Sequence, residues 1–368
     1  MNWQKELKKN IETIEQLKKY IKLSSKEARD LKKVLKLHPM SITRYYLSLI
    51  DVNDPNDPIR NIVVPSANEF AVSGFYDQSG EEKNTVMIGL QHKYSQTALL
   101  LATNECASYC RHCFRKRMIG LPNQEIMRRF NKAVDYIKAH KEINNVLISG
   151  GDPFVLPTNI IKKFLKKLSA IPHLDFIRFG TRTLVVFPDR ILSDPELLNV
   201  LKKYSKKDKR IYIVTHYNHP REITERSRKA VDKLLKAGVI INNQTVLLKG
   251  VNDYPDTLAE LQNGLVAIGV NPYYVFQCRP VKRADHFQIP FFHGCHVTEE
   301  AKKQLNGHSK RFKYMMSHKS GKIEILGIMG KYIYFKYHQA KNPKNLGKIF
   351  KRKVNRSAAW LDDDLNLI

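Results

Sequence analysis

The sequence predicts an α/β protein built on a partial (β/α)6 barrel of the TIM type, with a helical N-terminal extension and a small C-terminal α+β segment. Two observations carry this prediction. From about residue 95, short apolar runs alternate with amphipathic stretches of helical period. Most of the runs then end in polar or glycine residues, as strands do where their carboxyl ends carry chemistry. Strand, helix and strand at this spacing form right-handed crossovers between parallel strands. The expected organisation is a helical region and linker over 1–94 and the partial barrel over 95–295. A segment over 296–368 then closes the barrel and ends in a basic tail.

Residues 1–50 are helical in pattern, with Ser24-Ser25-Lys26-Glu27 as an N-cap signal and Leu31, Val34 and Leu35 at helical spacing. Asp54-Pro55 and Asp57-Pro58 punctuate 51–65, which reads as a loop or linker. The expected barrel strands are 98–102, 146–149, 176–179, 211–215, 240–248 and 273–277. The expected helices between them are 124–140, 160–171, 194–204, 223–237 and 257–268. Past 296 the rhythm breaks into a helix over 299–306 and then a hairpin pairing 313–317, 323–328 and 332–336.

Composition excludes several classes. With 42% hydrophobic and 10% aromatic residues among 368, the chain has the apolar content of a globular protein. No apolar stretch approaches the roughly 18–20 residues that cross a bilayer. Residues 1–9 are polar and lack the apolar run of a secretory signal. A cytoplasmic location with no membrane partner is the expectation. The formal charge of +28 raises nucleic acid as a partner, because a basic field attracts phosphate. The lysines are dispersed, however, and only 341–353 is a dense run, so solvated helix faces account for most of the charge. A nucleic-acid-binding or RNA-modifying protein is accordingly the lesser reading.

Three of the five cysteines, Cys106, Cys110 and Cys113, fall just after the first barrel strand, while Cys278 and Cys295 lie far along the chain. An odd, clustered set fits metal ligation in a reducing compartment better than a disulfide framework. At the spacing Cys-x3-Cys-x2-Cys, three thiolates can converge on three irons of a [4Fe-4S] cluster. The fourth iron is left open to the amino and carboxylate groups of S-adenosylmethionine (SAM), whose reduction yields a 5′-deoxyadenosyl radical. Zinc is the alternative, with His112 inside the motif as a fourth ligand.

The longer segment Cys106-Ala-Ser-Tyr-Cys-Arg-His-Cys-Phe-Arg-Lys-Arg117 resembles the cluster loop of the lysine 2,3-aminomutase family of radical SAM enzymes. The resemblance continues in order through Leu147-Ile-Ser-Gly-Gly-Asp-Pro153, Thr181-Arg-Thr183, Thr215-His-Tyr-Asn-His-Pro220, Asn243-Gln-Thr245 and Pro272-Tyr-Tyr274. It implies an isomerase that moves an amino group on an amino acid with a [4Fe-4S] cluster, SAM and pyridoxal 5′-phosphate (PLP). It also implies an external electron donor of the flavodoxin or ferredoxin type and a homo-oligomer. Ser149, Gly150, Gly151 and Asp152 are similar to the family's SAM-binding turn. A strand end with so little bulk lets backbone N–H groups approach a ligand, and Asp152 orients the loop or the ligand. His216 and Gln244 resemble positions that line the SAM pocket; polar groups satisfying loop backbone are the other reading. Arg115 resembles the arginine that meets the substrate carboxylate, a bidentate match.

Two departures from the family pattern bear on function. The family holds PLP through a lysine that follows a glycine-rich stretch. Here the region reads Gln304-Leu-Asn-Gly-His-Ser-Lys310 without a glycine run, so Lys310 is the expected Schiff-base lysine, Lys313 the second choice, and a plain surface lysine the alternative. A PLP-independent radical rearrangement or modification therefore stays open. Lysine-specific members also place an aspartate directly after the Gln-Cys pair, to hold the distal ammonium. This chain has Arg279 after Gln277-Cys278. A cation there repels an ammonium by several kcal/mol in a poorly solvated pocket and favours an anionic distal group, so free lysine is not the expected substrate.

Overall fold

Alternating burial along short strands builds the core of the molecule. The computed structural model describes residues 2–118 and 129–368. Among them, strands β1 (Thr85–Met87), β2 (Leu90–Tyr94), β3 (Thr97–Thr103), β4 (Asn145–Gly150), β5 (Phe176–Gly180) and β6 (Arg210–Thr215) are followed by β7 (Ile240–Leu247), β8 (Asn271–Gln277), β9 (Lys313–His318), β10 (Gly321–Met329), β11 (Tyr332–Ala340) and β12 (Ile349–Lys353). They form one sheet in sequence order, parallel from β3 to β9 and antiparallel on both flanks. The edge strands β1 and β12 do not pair with each other, so the sheet is an open, partial barrel. In β4 and β5, Val146, Ile148, Ile177 and Phe179 bury outward against the helices. Their alternates Leu147, Ser149, Arg178 and Gly180 face the interior and line its cavity.

The six expected strands are β3 to β8. Of the expected barrel helices, 124–140 appears as Phe130–Ala139, and its positions 124–128 lie outside the described residues. The other four are Thr158–Ser169, Pro195–Tyr204, Glu225–Lys236 and Pro255–Ala267. The differences cluster at the ends of the barrel. β9 is more than a hairpin strand, since it also runs parallel beside β8, with Tyr274 opposite Lys313. The helix that connects β8 to β9 is Phe291–Lys303 rather than 299–306. Gly294 in its first turns disguises it: a Cβ there would collide with the Tyr314 hydroxyl, which donates to Gln277 Oε1. The expected linker 51–65 contains the helix Pro58–Val63, capped by Asp57 Oδ1 accepting from Arg60 N at 2.8 Å. β1 and β2 have no signature in the sequence, because the polar run Gln91-His92-Lys93 shows no strand alternation.

The short N-terminal helices are not an independent module. Ile14, Leu17, Leu31 and Tyr46 belong to the same apolar core as the barrel residues Ile148, Ile177 and Ile213. Trp3 stacks under the Arg190 guanidinium, 4.2 Å from its ring centre.

Candidate active site

Inward-facing side chains and the loops after the strands enclose a cavity of about 470 Å³ that runs through the barrel interior to the carboxyl ends of the parallel strands. That is within the roughly 300–1,000 Å³ of small-molecule sites. Cys106, Cys110, Cys113, Arg115, Ser149, Gly150, Gly151, Asp152, His216, Gln244 and Arg279 all line it. Lys310 does not.

The cluster loop is held by backbone from both sides. Gly151 N donates to Thr103 O at 2.5 Å and Asp152 N to Glu105 O at 2.7 Å, which sews the loop onto the end of β4. This close approach is what requires glycine. Gly150 has φ +117°, and a Cβ on Gly150 or Gly151 would strike the carbonyl oxygens of Thr103 or Glu105. The Gly151 and Asp152 N–H donors are thus both used by the loop itself. Asp152 is spent on structure too. Its carboxylate caps Phe154 N at 3.0 Å and accepts from Thr181 Oγ1 at 2.6 Å and Arg182 N at 2.7 Å. On the other side, Tyr109 N and Arg111 N donate to Ser41 O at 2.9 Å and Ile62 O at 2.8 Å, and Asn10 Nδ2 donates to Ala107 O at 2.7 Å. The segments read as extension and linker thus form one wall of the site.

All five cysteines are free thiols. Burial pushes Cys113 up to about 11 and Cys106 well above its ordinary range, so both thiols need a metal to displace their protons. Among the described residues no three His, Cys, Asp or Glu side chains converge on a single-ion position. Cys110 Sγ accepts a hydrogen bond from Arg182 Nη1 at 2.9 Å. The same guanidinium donates to His216 O at 2.9 Å, to Tyr46 Oη at 3.0 Å and to Glu222 Oε1. Arg182 sits in the block Thr181-Arg-Thr183, yet nothing in the sequence marks its bond to a cluster-loop sulfur. Glu222, its buried partner, carries no sequence signal either.

The rest of the cavity is strongly cationic. Lys93, Arg111, Arg115, Lys116, Arg178, Arg182, Arg279 and Lys322 line it, against the carboxylates of Glu81 and Asp152. Arg115 Nε pairs with Glu81 Oε1 at 3.0 Å, and its Nη1 reaches Ser149 Oγ at 3.2 Å and Gly150 O at 3.4 Å, so the guanidinium is pre-oriented. Arg279 lies over the Phe114 ring at 4.1 Å and donates to Ser79 Oγ. Desolvation lowers it to about 10, opposed by Glu81. Enclosure, with Arg182 next, pushes the His216 imidazole down to about 4 and keeps it neutral. Gln244 lines the wall from β7.

Lys310 is exposed, sits just before β9 at the amino end of that strand, and does not line the cavity. This placement keeps Lys310 out of the cavity, in the loop between helix Phe291–Lys303 and β9. Lys313 pairs with Glu324 at 2.7 Å and does not line the cavity either. Lys93 and Lys322, which do line it, have nothing in the sequence to set them apart from so many other lysines.

Residues 100–261 match the model of the Radical SAM superfamily. A protein of Aquifex aeolicus (strain VF5) provisionally named L-lysine 2,3-aminomutase is 43% identical, over 98% of this chain and 96% of its own. The L-lysine 2,3-aminomutase of Clostridium subterminale is 42% identical over 84% of this chain and 73% of its own. The glutamate 2,3-aminomutase of Clostridioides difficile (strain 630) is 38% identical over 83% and 72%. Cysteines clamped at the mouth of an open parallel barrel and identity of this depth along nearly the whole chain agree: the chain belongs to the lysine 2,3-aminomutase family of radical SAM enzymes, whose cofactors include a [4Fe-4S] cluster and SAM.

Proposed function

We propose that this enzyme is a 2,3-aminomutase for an amino acid with an anionic distal group, glutamate being the simplest case. The observation that carries the proposal is Arg279, a cation on the cavity wall at the position where lysine-specific members carry an aspartate. A glutamate 2,3-aminomutase among the relatives supports the same direction.

In this reading Cys106, Cys110 and Cys113 hold three irons, and Arg182 steadies the Cys110 sulfur. Ser149 and Gly150, with His216 and Gln244, line the space for SAM, while Gly151 and Asp152 fix the loop that shapes it. Neutral His216 offers a hydrogen bond without adding a charge next to the sulfonium. Arg115 meets the substrate α-carboxylate and Arg279 the distal one. When bound, the cluster and SAM supply the radical that abstracts hydrogen, and PLP engages the migrating amino group. An external flavodoxin or ferredoxin supplies the electron, and a cytoplasmic, homo-oligomeric enzyme is part of the proposal. Among the described residues no helix is long and apolar enough to cross a membrane.

The test is turnover by the anaerobically reconstituted enzyme with glutamate and with lysine, read as β-amino acid formed. Conversion of glutamate supports the proposal, and efficient conversion of lysine to β-lysine overturns it.

A further inference from the structure

The basic run near the C-terminus has no part in the chemistry of the main cavity. Residues 331–356 carry nine lysines and arginines and no aspartate or glutamate. They form β11, β12 and the segments beside them. Alternation along β11 gives this ribbon two unlike faces. Ile333, Phe335 and Tyr337 are buried in the core shared with helix Phe291–Lys303. Tyr332, Tyr334, Lys336 and His338 are half-buried on the other face. Residues directly opposite on neighbouring strands share a face. β12 therefore adds Lys353 opposite Tyr332, Lys351 opposite Tyr334 and Ile349 opposite Lys336, all three exposed. β10 adds Met329 opposite Tyr332, also exposed.

The same face leads, through His338, to a second cavity of about 430 Å³ at the amino ends of β8 and β9. Tyr273, Tyr274, Arg311, Lys313 and His338 are among its lining residues. The two tyrosine rings stack with centres 3.8 Å apart, and Tyr274 Oη lies 2.8 Å from His338 Nε2. Glu324, a carboxylate on this face opposite Lys336, pairs with Lys313 at 2.7 Å. Arg352 lies opposite the buried Ile333 and so alternates to the other face, where it donates to Leu365 O at 2.8 Å and Asp364 O at 3.5 Å. The tail aspartates gathered there leave the tyrosine face cationic.

We propose that this face docks a single strand of nucleic acid. An unpaired strand needs flat rings for its bases and cations for its phosphates. Tyr332 and Tyr334 supply rings on one face, flanked by Lys351 and Lys353, with Lys351 Nζ 4.4 Å from the Tyr332 ring centre. The exposed Lys341, Lys344 and Lys348 carry the cationic track on through the loop between β11 and β12. At the other end the second cavity offers the Tyr273–Tyr274 pair to a base. A duplex hides its base faces, and a bilayer surface would leave that cavity unused. Tyr332, Tyr334, Lys336, Lys351 and Lys353 do not line the main cavity, so the proposal stands apart from the aminomutase reading.

The experiment is fluorescence anisotropy of a fluorescein-labelled, unstructured RNA of about 15 nucleotides titrated with the full chain. Saturable binding is expected, weakening with salt at a log–log slope of about −3 for roughly four phosphate contacts. The pair Lys351→Glu and Lys353→Glu, and the pair Tyr332→Ala and Tyr334→Ala, should each weaken binding about tenfold or more. The pair Lys162→Glu and Lys163→Glu makes the same charge change on exposed lysines of the helix Thr158–Ser169. It should alter binding less than about twofold, because charges far from the strand are screened. No binding, equal losses in the two charge-reversed proteins, or an unchanged affinity in the tyrosine variant overturns the proposal. Tighter binding of a duplex of the same sequence, or of phosphatidylglycerol vesicles, overturns it in favour of that partner. Should a variant fold poorly, ultraviolet crosslinking of RNA to the wild-type chain decides by itself: crosslinks are expected in β11, β12 or Tyr273–Tyr274, and crosslinks confined to other segments overturn the proposal.

Discussion

Replacing Arg182 with glutamine removes a guanidinium that serves Cys110 Sγ, His216 O, Tyr46 Oη and Glu222 at once. The cost can be worked from what stays behind. Glu222 is fully buried and keeps hydrogen bonds from Asn218 N at 2.5 Å and His219 N at 3.0 Å, but it loses its counter-charge. Breaking one side of a buried pair costs about 3–5 kcal/mol, a large part of a typical stability of roughly 5–15 kcal/mol. The double variant R182Q/E222Q strands no charge and should recover at least about 2 kcal/mol of that loss. The cluster responds differently. Cys110 loses a charge-assisted donor in both variants, and weaker hydrogen bonding to a ligating sulfur lowers the reduction potential. Denaturant unfolding should therefore separate the single from the double variant, while a redox titration followed by electron paramagnetic resonance should show the same downward shift in both. A double variant no more stable than the single one, or an unchanged midpoint potential, would refute the reasoning.

The other expectations are simpler. Gly151→Ala forces the Glu105 carbonyl away and should cost about 1–3 kcal/mol together with bound iron and sulfide; wild-type iron content at wild-type stability would contradict the sewn loop. Lys310→Ala changes an exposed side chain and should leave stability within about 0.5 kcal/mol and 5′-deoxyadenosine release at the wild-type level, as measured by denaturation and by product analysis. Arg279→Asp should weaken glutamate binding and strengthen lysine binding in isothermal titration; an unchanged preference would remove Arg279 from specificity.

Much of this is legible in the sequence, for identifiable reasons. Apolar runs such as 146–149 and 211–215 sit between helices of clear period, so the parallel core follows from pattern alone. The cysteine spacing and the strand-end blocks pick out side chains and backbone, from Cys106 to Arg279, that the fold brings to a single cavity. What pattern cannot give is anything decided by close packing. Gly151 reads as a ligand-binding turn until the Thr103 carbonyl is found on its N–H. The helix Phe291–Lys303 is hidden by Gly294, whose missing side chain makes room for Tyr314. The most instructive case is lysine. Sequence pattern singles out Lys310, but the fold leaves it exposed just before β9, while Lys93 and Lys322 line the cavity.

The central claim is that Cys106, Cys110 and Cys113 carry a cluster that cleaves SAM reductively. The most direct measurement is 5′-deoxyadenosine released by the chain after anaerobic reconstitution with iron and sulfide and addition of SAM and dithionite. Wild-type enzyme should form it even without substrate, and Cys110→Ala should form none. A Cys110→Ala variant that retained both the cluster and SAM cleavage would contradict the account.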